Sequence, residues 1–314
     1  MRALIFGGAG FIGSNLVRQL YENGAEEILV ADNLSMGNML EHLGLPIHLN
    51  VGDMTSSSWV EELLREFQPT RIYHLAANSD ISASALDPSL DINNTLISTI
   101  NLGYAVRRHP VKELVFSSSS AVFGDSSSVL SENSAKKPAS AYGWMKFSSE
   151  LILEALFEES FVSKYLCVRF PNVTGELQTH GVVHDLVKKL MKNSKRLEVL
   201  GDGSQLKPYV YVSELVRAIN SLIDAPWDGM KTVNLGPIDQ ISVSEIVEAL
   251  LDLSGLSPAV VFGASRSGWE GDVPEYQFEL SVAREILGTV PFGSSADAIR
   301  RSIAWELRKA NGAS

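Results

Sequence analysis

The chain has 314 residues, of which 45% are hydrophobic and 20% charged, as expected for a globular protein with one large and one smaller folding unit. The net charge of −11 argues against nucleic acid as a partner, because phosphate backbones are bound by clustered Lys and Arg. No stretch is apolar for the ~18 residues that a membrane span needs. With no export signal and one cysteine, Cys167, we expect a cytoplasmic protein without disulfides.

The first predicted element is a buried strand at Arg2–Phe6, which runs directly into a glycine-rich turn and an amphipathic helix. In dinucleotide-binding loops one glycine permits a sharp turn and one leaves no Cβ facing a pyrophosphate. A third lets the helix pack closely on the strand, and the helix N-terminus faces the phosphates. The turn fits two such spacings, Gly8-x-Gly10-x-x-Gly13 and Gly7-x-x-Gly10-x-x-Gly13.

Strand and helix patterns then alternate through the first half of the chain. Further strands are predicted at Glu27–Ala31, Ile47–Val51, Arg71–Leu75, Glu113–Ser118 and Tyr165–Arg169. Helices are predicted at Ser57–Phe67, Ser89–Arg108 and Ala141–Glu159. This alternation predicts an α/β fold with a Rossmann-type, doubly wound parallel sheet, whose ligands lie beyond the carboxyl ends of the strands.

Beyond Asn172 the alternation becomes less regular. Three more helices are predicted, at Val183–Asn193, Ser213–Asp224 and Ser242–Ser254, and the segments Pro258–Gly263, Ser281–Leu287 and Ser294–Lys309 complete a mixed C-terminal part. A strand near Val233–Gly236 is expected to return to the main sheet. We therefore predict a Rossmann unit over residues 1–172 with a returning segment near 205–240, and a smaller mixed α/β unit over most of 173–314.

Asp32 ends the second predicted strand, 19 residues after Gly13. An acidic side chain at this place accepts hydrogen bonds from the ribose hydroxyls of a dinucleotide. Its charge repels a 2′-phosphate, and no Arg stands beside it, so the predicted cofactor is NAD rather than NADP. Asp53, at the end of the next strand, is a candidate contact of the adenine or a simple turn residue.

Tyr142 and Lys146 are four residues apart on a predicted helix and therefore share one face. An ammonium beside a phenol, next to a cationic nicotinamide, is expected to lower the pKa of the phenol and make it a usable base. Ser119 follows a predicted strand upstream and can hydrogen-bond the same substrate oxygen. These three residues are the predicted catalytic set.

Together these motifs resemble the extended short-chain dehydrogenase/reductases, in particular the nucleotide-sugar epimerase/dehydratase group. The resemblance covers essentially the whole chain and includes His74–Ala77, Ser117–Gly124, Arg169–Gly175 and Gly201–Gly203. It implies a cleft that holds NAD and a nucleotide-diphosphate sugar. The implied NAD contacts are Gly7, Gly10, Phe11, Ile12, Gly13, Asp32, Asn33, Ser35, Gly37, Asp53, Met54, Leu75, Ala76, Ala77, Tyr142, Lys146 and Phe170.

The implied substrate contacts are Ser119, Asn172, Lys207 and Arg266. Lys207 stands where the family usually has Arg, so it offers a point charge without a bidentate fork. Arg266 begins a loop, 266–272, that resembles an expanded form of the family's diphosphate clamp. The alternative for Arg266 is a solvated surface side chain.

The family's dehydratases carry Asp-Glu directly after the catalytic hydroxyl residue, and its decarboxylases use a Glu nearby. Here Ser120-Ala121 follows Ser119, which favours 4-epimerisation. A 4-dehydrogenase or 4-ketoreductase with the same Ser/Tyr/Lys set is the alternative. A non-catalytic dinucleotide sensor is less favoured, because Ser119, Tyr142 and Lys146 are all present. The nucleotide base and the sugar cannot be read from the sequence.

The histidines His74, His180 and His184 lack the spacing of metal ligands, so no metal is expected and structural roles are favoured. The Ala141–Glu159 helix carries aromatic residues, among them Trp144 and Phe147. We expect this helix to form a homodimer interface together with the helix at Ser89–Arg108.

Overall fold

The computed structural model describes residues 1–78, 86–125, 129–266 and 273–312. The predicted loop after Arg266, residues 267–272, lies outside them. No helix among the described residues has both the length and the apolar character needed to cross a bilayer.

A seven-stranded, all-parallel sheet is the main element, with the strand order β3-β2-β1-β4-β5-β7-β12. This is the predicted doubly wound arrangement, and the predicted fold class is confirmed. The strands are β1 Arg2–Phe6, β2 Glu27–Asp32, β3 His48–Val51, β4 Arg71–His74, β5 Val111–Ser117, β7 Val162–Arg169 and β12 Gly229–Asn234.

Helices cover both faces of the sheet. They are α1 Phe11–Glu22, α2 Ser57–Phe67, α3 Ser98–Arg108, α4 Ala141–Glu158 and α6 Val212–Asp224. Helices α1 and α6 pack in one core with Leu16, Leu215 and Ile219, all 2% exposed or less. Burying each such side chain stabilises the fold by about 1.5–3 kcal/mol.

The predicted helix at Ser89–Arg108 is interrupted. A short α-helical turn, Ser89–Asp91, passes into a π-helical turn, Ile92–Ile97, before α3 begins. Two hydroxyls bond to backbone carbonyls here, Ser98 Oγ to Asn94 O at 2.8 Å and Thr99 Oγ1 to Thr95 O at 2.7 Å. Such local bonds compete with the regular helical pattern, and π turns of this kind are common beside functional sites.

The strand predicted near Val233–Gly236 begins earlier, at Gly229, and returns to the sheet beside β7, with Thr232 opposite Cys167. Cys167 is buried.

The rest of the C-terminal half has its own core, formed by α5 Val182–Lys192, α7 Val243–Ser254 and α9 Ser295–Ala310. Small strand pairs accompany these helices. They involve β6 Val129–Leu130, β8 Asn172–Thr174, β9 Arg196–Val199, β10 Leu206–Lys207, β11 Tyr209–Tyr211, β13 Ile241–Ser242, β14 Ala259–Phe262 and β15 Gln277–Phe278. Helix α8, Ser281–Leu287, instead contributes Ala283 to the first core. The predicted division of the chain into two units stays a prediction.

Candidate active site

A cleft of about 830 Å³ lies at the carboxyl ends of the parallel strands. One wall comes from the glycine-rich turn and the ends of β2, β3 and β4, and the other wall from the C-terminal half. All predicted cofactor contacts except Lys146 and Phe170 line it: Gly7, Gly10, Phe11, Ile12, Gly13, Asp32, Asn33, Ser35, Gly37, Asp53, Met54, Leu75, Ala76, Ala77 and Tyr142.

The three glycines of one predicted spacing have three different environments. Gly7 has φ +78°, and a Cβ there would lie 2.6 Å from Ala76 N. A Cβ on Gly13 would lie 2.2 Å from Gly7 O, so this glycine lets α1 pack on the turn. Gly10 has no atom closer than 3.6 Å to its Cβ position, and it lines the cleft. Packing within the protein therefore does not require a glycine at position 10, and the open position fits the pyrophosphate role.

Asp32 holds its carboxylate through two backbone amides. Ala9 N donates to Oδ2 at 2.9 Å and Leu34 N donates to Oδ1 at 2.8 Å. Burial raises the pKa of Asp32, while the amides of Leu34 and Ala9 act in the opposite direction. Each oxygen keeps a further lone pair for a ribose hydroxyl, so the side chain is orientated before any ligand arrives.

The predicted adenine contacts at the end of β3 are held in place by local hydrogen bonds. Asp53 Oδ1 accepts from Thr55 N at 2.8 Å, and Asn101 Nδ2 donates to Met54 O at 2.8 Å. Asp53 therefore has the turn role that was one of its two predicted alternatives, and it also lines the cleft.

Helix α4 carries Tyr142, which lines the cleft, and Lys146, which is buried one turn later. Ser140 caps the helix by accepting from Gly143 N at 3.2 Å. A Cβ on Gly143 would lie 2.5 Å from Ala121 O, so this glycine lets the helix sit against the turn after Ser119. The Ser119 hydroxyl comes close enough to the phenol of Tyr142 to lower its pKa.

The pKa of Tyr142 differs from the prediction that Lys146, next to a cationic nicotinamide, lowers it. Burial raises the pKa of Tyr142 to about 12. The Ser119 hydroxyl lowers this pKa in part, and Lys146 does not contribute to the shift. Burial also lowers the pKa of Lys146 to about 8. The Lys146 Nζ donates to Ser117 O at 2.6 Å and lies 5.9 Å from the Tyr142 ring centre. The net effect of the protein's own groups is therefore to raise the pKa of the phenol.

A buried ion pair holds Ser118, the residue next to Ser119 at the end of β5. Arg169 donates to both carboxylate oxygens of Glu150, at 2.9 and 2.7 Å, and Ser118 Oγ donates to the same carboxylate. Glu150 lies one turn beyond Lys146 on α4. The network thus joins β5, α4 and β7 directly beneath Ser119.

Of the predicted substrate contacts, Asn172 and Lys207 line the cleft and Ser119 does not. Phe170 is half-buried against the first core, and its carbonyl accepts from Ser120 N at 3.1 Å. The Arg266 side chain is 60% exposed and pairs with Glu275 at 2.8 Å. Neither Phe170 nor Arg266 lines the cleft, and for Arg266 the ion pair favours the surface alternative.

The histidines have different surroundings. His74 lies in the interior, with Nε2 2.8 Å from Thr99 Oγ1, and His184 Nδ1 lies 2.9 Å from Glu306 Oε1. His180 lines the cleft.

A family model, the NAD-dependent epimerase/dehydratase family, matches residues 3–236. The chain belongs to this family. A putative UDP-glucose 4-epimerase of Methanocaldococcus jannaschii is 28% identical over 309 residues, which cover 96% of this chain and 97% of that protein.

Two solved structures show similarity over the full length. UDP-glucose 4-epimerase of Thermotoga maritima, solved with UDP-glucose, has a TM-score of 0.90 at 28% identity and covers 99% of this chain and 100% of that one. UDP-glucuronic acid 4-epimerase from Bacillus cereus, in complex with UDP-glucuronic acid and NAD, has a TM-score of 0.88 at 25% identity. The match covers 98% of this chain and 100% of that one.

As a member of the NAD-dependent epimerase/dehydratase family, the chain is an NAD-dependent enzyme, and its cofactor wall fits NAD. The open position at Gly10 and the pre-orientated Asp32 carboxylate are the two observations that show the fit.

Sequence reasoning missed most of the C-terminal wall of the cleft. Its lining residues include Gln178, Thr179, Val182, Asp185, Leu186, Lys188, Lys189, Leu200 and Gln205. Asn78 and Asn94 were also missed on the first wall. Their positions after β4, β8 and β9 were the available signal, because loops at strand ends form the ligand sites of such sheets. No sequence motif marks these side chains out.

Proposed function

We propose that this protein is a nucleotide-sugar 4-epimerase with a UDP-hexose as substrate. The carrying observation is that Tyr142 lies in one cleft, between a wall formed by the predicted dinucleotide contacts and a second wall containing Asn172 and Lys207. The names of the relatives, which are UDP-glucose and UDP-glucuronic acid 4-epimerases, support the uridine diphosphate part of the proposal.

In the proposed reaction Tyr142 accepts the proton of the C4 hydroxyl while the C4–H bond breaks. Bound NAD supplies the acceptor for the C4 hydride and its donor in the return step. Ser119 hydrogen-bonds the same substrate oxygen, since its Oγ already accepts from Ala121 N at 3.2 Å and keeps its own proton to donate. Tyr142 gives the proton back when the alcohol re-forms.

Inversion requires that the 4-keto sugar turn over and receive the hydride on its opposite face. The residues after Ser119 support this outcome, because Ser120 and Ala121 have no carboxylic acid with which to eliminate a neighbouring hydroxyl. The phenol of Tyr142 therefore accepts or returns the C4 hydroxyl proton in both C4 configurations of the sugar.

The test is incubation of the purified protein with UDP-glucose, UDP-N-acetylglucosamine and UDP-glucuronic acid. Products are identified by NMR while NADH absorbance is followed. We expect a C4 epimer from one of these sugars without net NADH. Accumulation of NADH in step with a 4-keto product would instead assign the 4-dehydrogenase alternative.

We also propose that the protein forms a homodimer through α3 and α4, which pack on each other. Tyr104, Trp144 and Leu151 are 54%, 48% and 52% exposed on these two helices. Large apolar side chains exposed together mark an interaction surface. Phe147 does not belong to it, because its side chain packs against the cluster of Phe123 and Phe278.

A further inference from the structure

Asp91 is a fully buried carboxylate that ends the turn before the π-helical segment, with 0% of its surface exposed. Its Oδ1 accepts from Asn78 Nδ2 at 2.8 Å. Its Oδ2 is buried and has no hydrogen-bond partner among the described residues. A carboxylate held this way is costly unless a positive charge lies nearby.

Lys146 is the matching cation. Its side chain is 2% exposed, and its Nζ donates to the neutral carbonyl of Ser117 at 2.6 Å. Within the described part of the chain it forms no ion pair. The turn that ends at Asp91 packs against α4, the helix that carries Lys146. Burial lowers the pKa of Lys146, and Cys167, Glu150 and Asp91 act in the opposite direction.

Two of these three groups are already neutral or compensated. Burial raises the pKa of the Cys167 thiol well above its ordinary value, so it carries no charge at neutral pH. Glu150 forms two hydrogen bonds with Arg169, which balances its charge. Asp91 has only an amide partner.

The remaining titratable neighbours of Lys146 carry no charge either. Burial lowers the pKa of His74 to about 3, and burial raises the pKa of Tyr142 to about 12. Asp91 is therefore the one uncompensated anion among the groups that the structure describes around Lys146.

We propose that the Asp91 carboxylate is the counter-ion of Lys146 and holds the charged ammonium beside Tyr142. The kinetic part of this inference rests on the proposed function; the charge pairing does not. Asp91 is a positioning residue, because it acts through Lys146 and does not line the cleft. Its amide partner Asn78 does line the cleft and connects the pair to it.

The first experiment compares pH–rate profiles of the wild type and Asp91→Asn. The amide keeps the size of the side chain and an oxygen that accepts from Asn78, and it removes the charge. Because Asp91 raises the pKa of both Tyr142 and Lys146, both limbs of the profile should move to lower pH, by about one unit. Asp87→Asn, which removes an exposed carboxylate four residues earlier, should leave them in place. If Asp91→Asn lowers only the maximum rate and the two limbs of its pH–rate profile stay at the wild-type pH values, the proposal is overturned.

The second experiment needs no turnover. NAD carries one more positive charge than NADH, so Asp91→Asn should weaken NAD binding relative to NADH by roughly tenfold. Fluorescence titration and competition measure this ratio at about pH 6, where Lys146 stays protonated in both proteins. An altered ratio without epimerase activity would reject the proposed function alone. Unmoved limbs and an unchanged ratio in an active epimerase would reject the counter-ion alone.

Unfolding provides a check should Asp91→Asn be unstable. Adding Lys146→Met to Asp91→Asn removes the unpaired cation, so the double variant should be more stable than the single one. A double variant that is no more stable, or that also fails to fold, shows that the two charges are not coupled and overturns the proposal.

Discussion

At the scale of single residues, Tyr142 shows how burial and a bound ligand act against each other. With a pKa near 12, the phenol holds its proton at neutral pH and is a poor base. The predicted lowering of this pKa depends on the positive charge of the nicotinamide as well as on Lys146. The phenol is therefore expected to become a base only in the complex.

Tyr142→Phe tests the role of the phenol. It removes one oxygen and keeps the ring, so folding and NAD binding should survive. Turnover should fall by about 10²–10⁴-fold, the usual range for a positioned acid–base group. Ser119→Ala, the comparison variant, should cost less because it removes one hydrogen bond. Near-normal turnover of Tyr142→Phe on its best nucleotide sugar would show that the phenol is only a packed helix residue.

Asp32 is the residue that we expect to determine the choice between NAD and NADP. NAD should bind at least about tenfold more tightly than NADP, because a 2′-phosphate would meet a carboxylate already fixed by Ala9 N and Leu34 N. Asp32→Ala should narrow this gap, chiefly by weakening NAD, as measured by titration calorimetry. Asp53→Ala is the control, because it removes a carboxylate at the end of the next strand. It should leave the ratio of the NAD and NADP affinities unchanged. Equal affinities of the wild type for NAD and NADP would contradict the assignment.

His74 links stability to pH. Thr99 uses its hydroxyl proton on Thr95 O, so His74 Nε2 donates to Thr99, and the buried Nδ1 has no partner among the described residues. Burial lowers the pKa of His74 from 6.5 to about 3. Between these values the unfolded state binds the proton and the native state does not. The free energy of unfolding should therefore fall as pH drops below about 6.5, by up to ~1.4 kcal/mol per pH unit.

His74→Gln provides the measurement. A glutamine amide can still donate to Thr99 but does not titrate, so the loss of stability between pH 6 and 4 should be shallower than in the wild type. Urea unfolding at several pH values gives the slopes. His42→Gln, a change at an exposed histidine, should keep the wild-type slope. An unchanged slope in His74→Gln would show that His74 is protonated in the folded protein.

At the scale of elements, α4 has two tasks on two faces. Tyr142 and Lys146 face the cleft and the interior, while Trp144 and Leu151 face solvent. Such a helix is apolar on more than one side, which is typical of a helix that packs against another chain as well.

Trp144→Glu should convert the expected dimer into a monomer, because it places a charge in an apolar contact. Light scattering at micromolar concentration gives the mass. Phe262→Glu, at a side chain 39% exposed on β14, should leave the mass unchanged. A wild-type protein that is already monomeric would reject the interface.

At the scale of the whole molecule, the two walls of the cleft should bind separate ligands. NAD and UDP should each raise the melting temperature, by roughly 5 °C at a concentration of about 100 Kd. Asp32→Ala should reduce the shift from NAD and keep the shift from UDP, and Lys207→Ala should do the reverse. Thermal melts with each ligand test this. A shift from UDP that depends on Asp32 and not on Lys207 would place the nucleotide on the wrong wall.

Much of this protein was determined by local sequence. The period of the apolar residues predicted the parallel sheet, since buried strands and amphipathic helices differ in their repeat. Gly7, Gly13 and Asp32 were predictable because backbone sterics and charge act within a single strand–turn–helix unit. The resemblance to the family extended this to Ser119, Tyr142 and Lys146.

Other properties were decided only by the tertiary structure. The C-terminal wall is assembled from segments far apart in sequence, and side chains such as Leu200 gain a role only by position. The pKa values of Tyr142, Lys146 and His74 depend on desolvation, which no local pattern records. The pairing of Asp91 with Lys146 likewise arises because α4 and the turn before the π-helical segment meet, although 55 residues separate the two side chains in the chain. Burial and charge balance are properties of three-dimensional packing, and that is why the sequence alone did not reveal them.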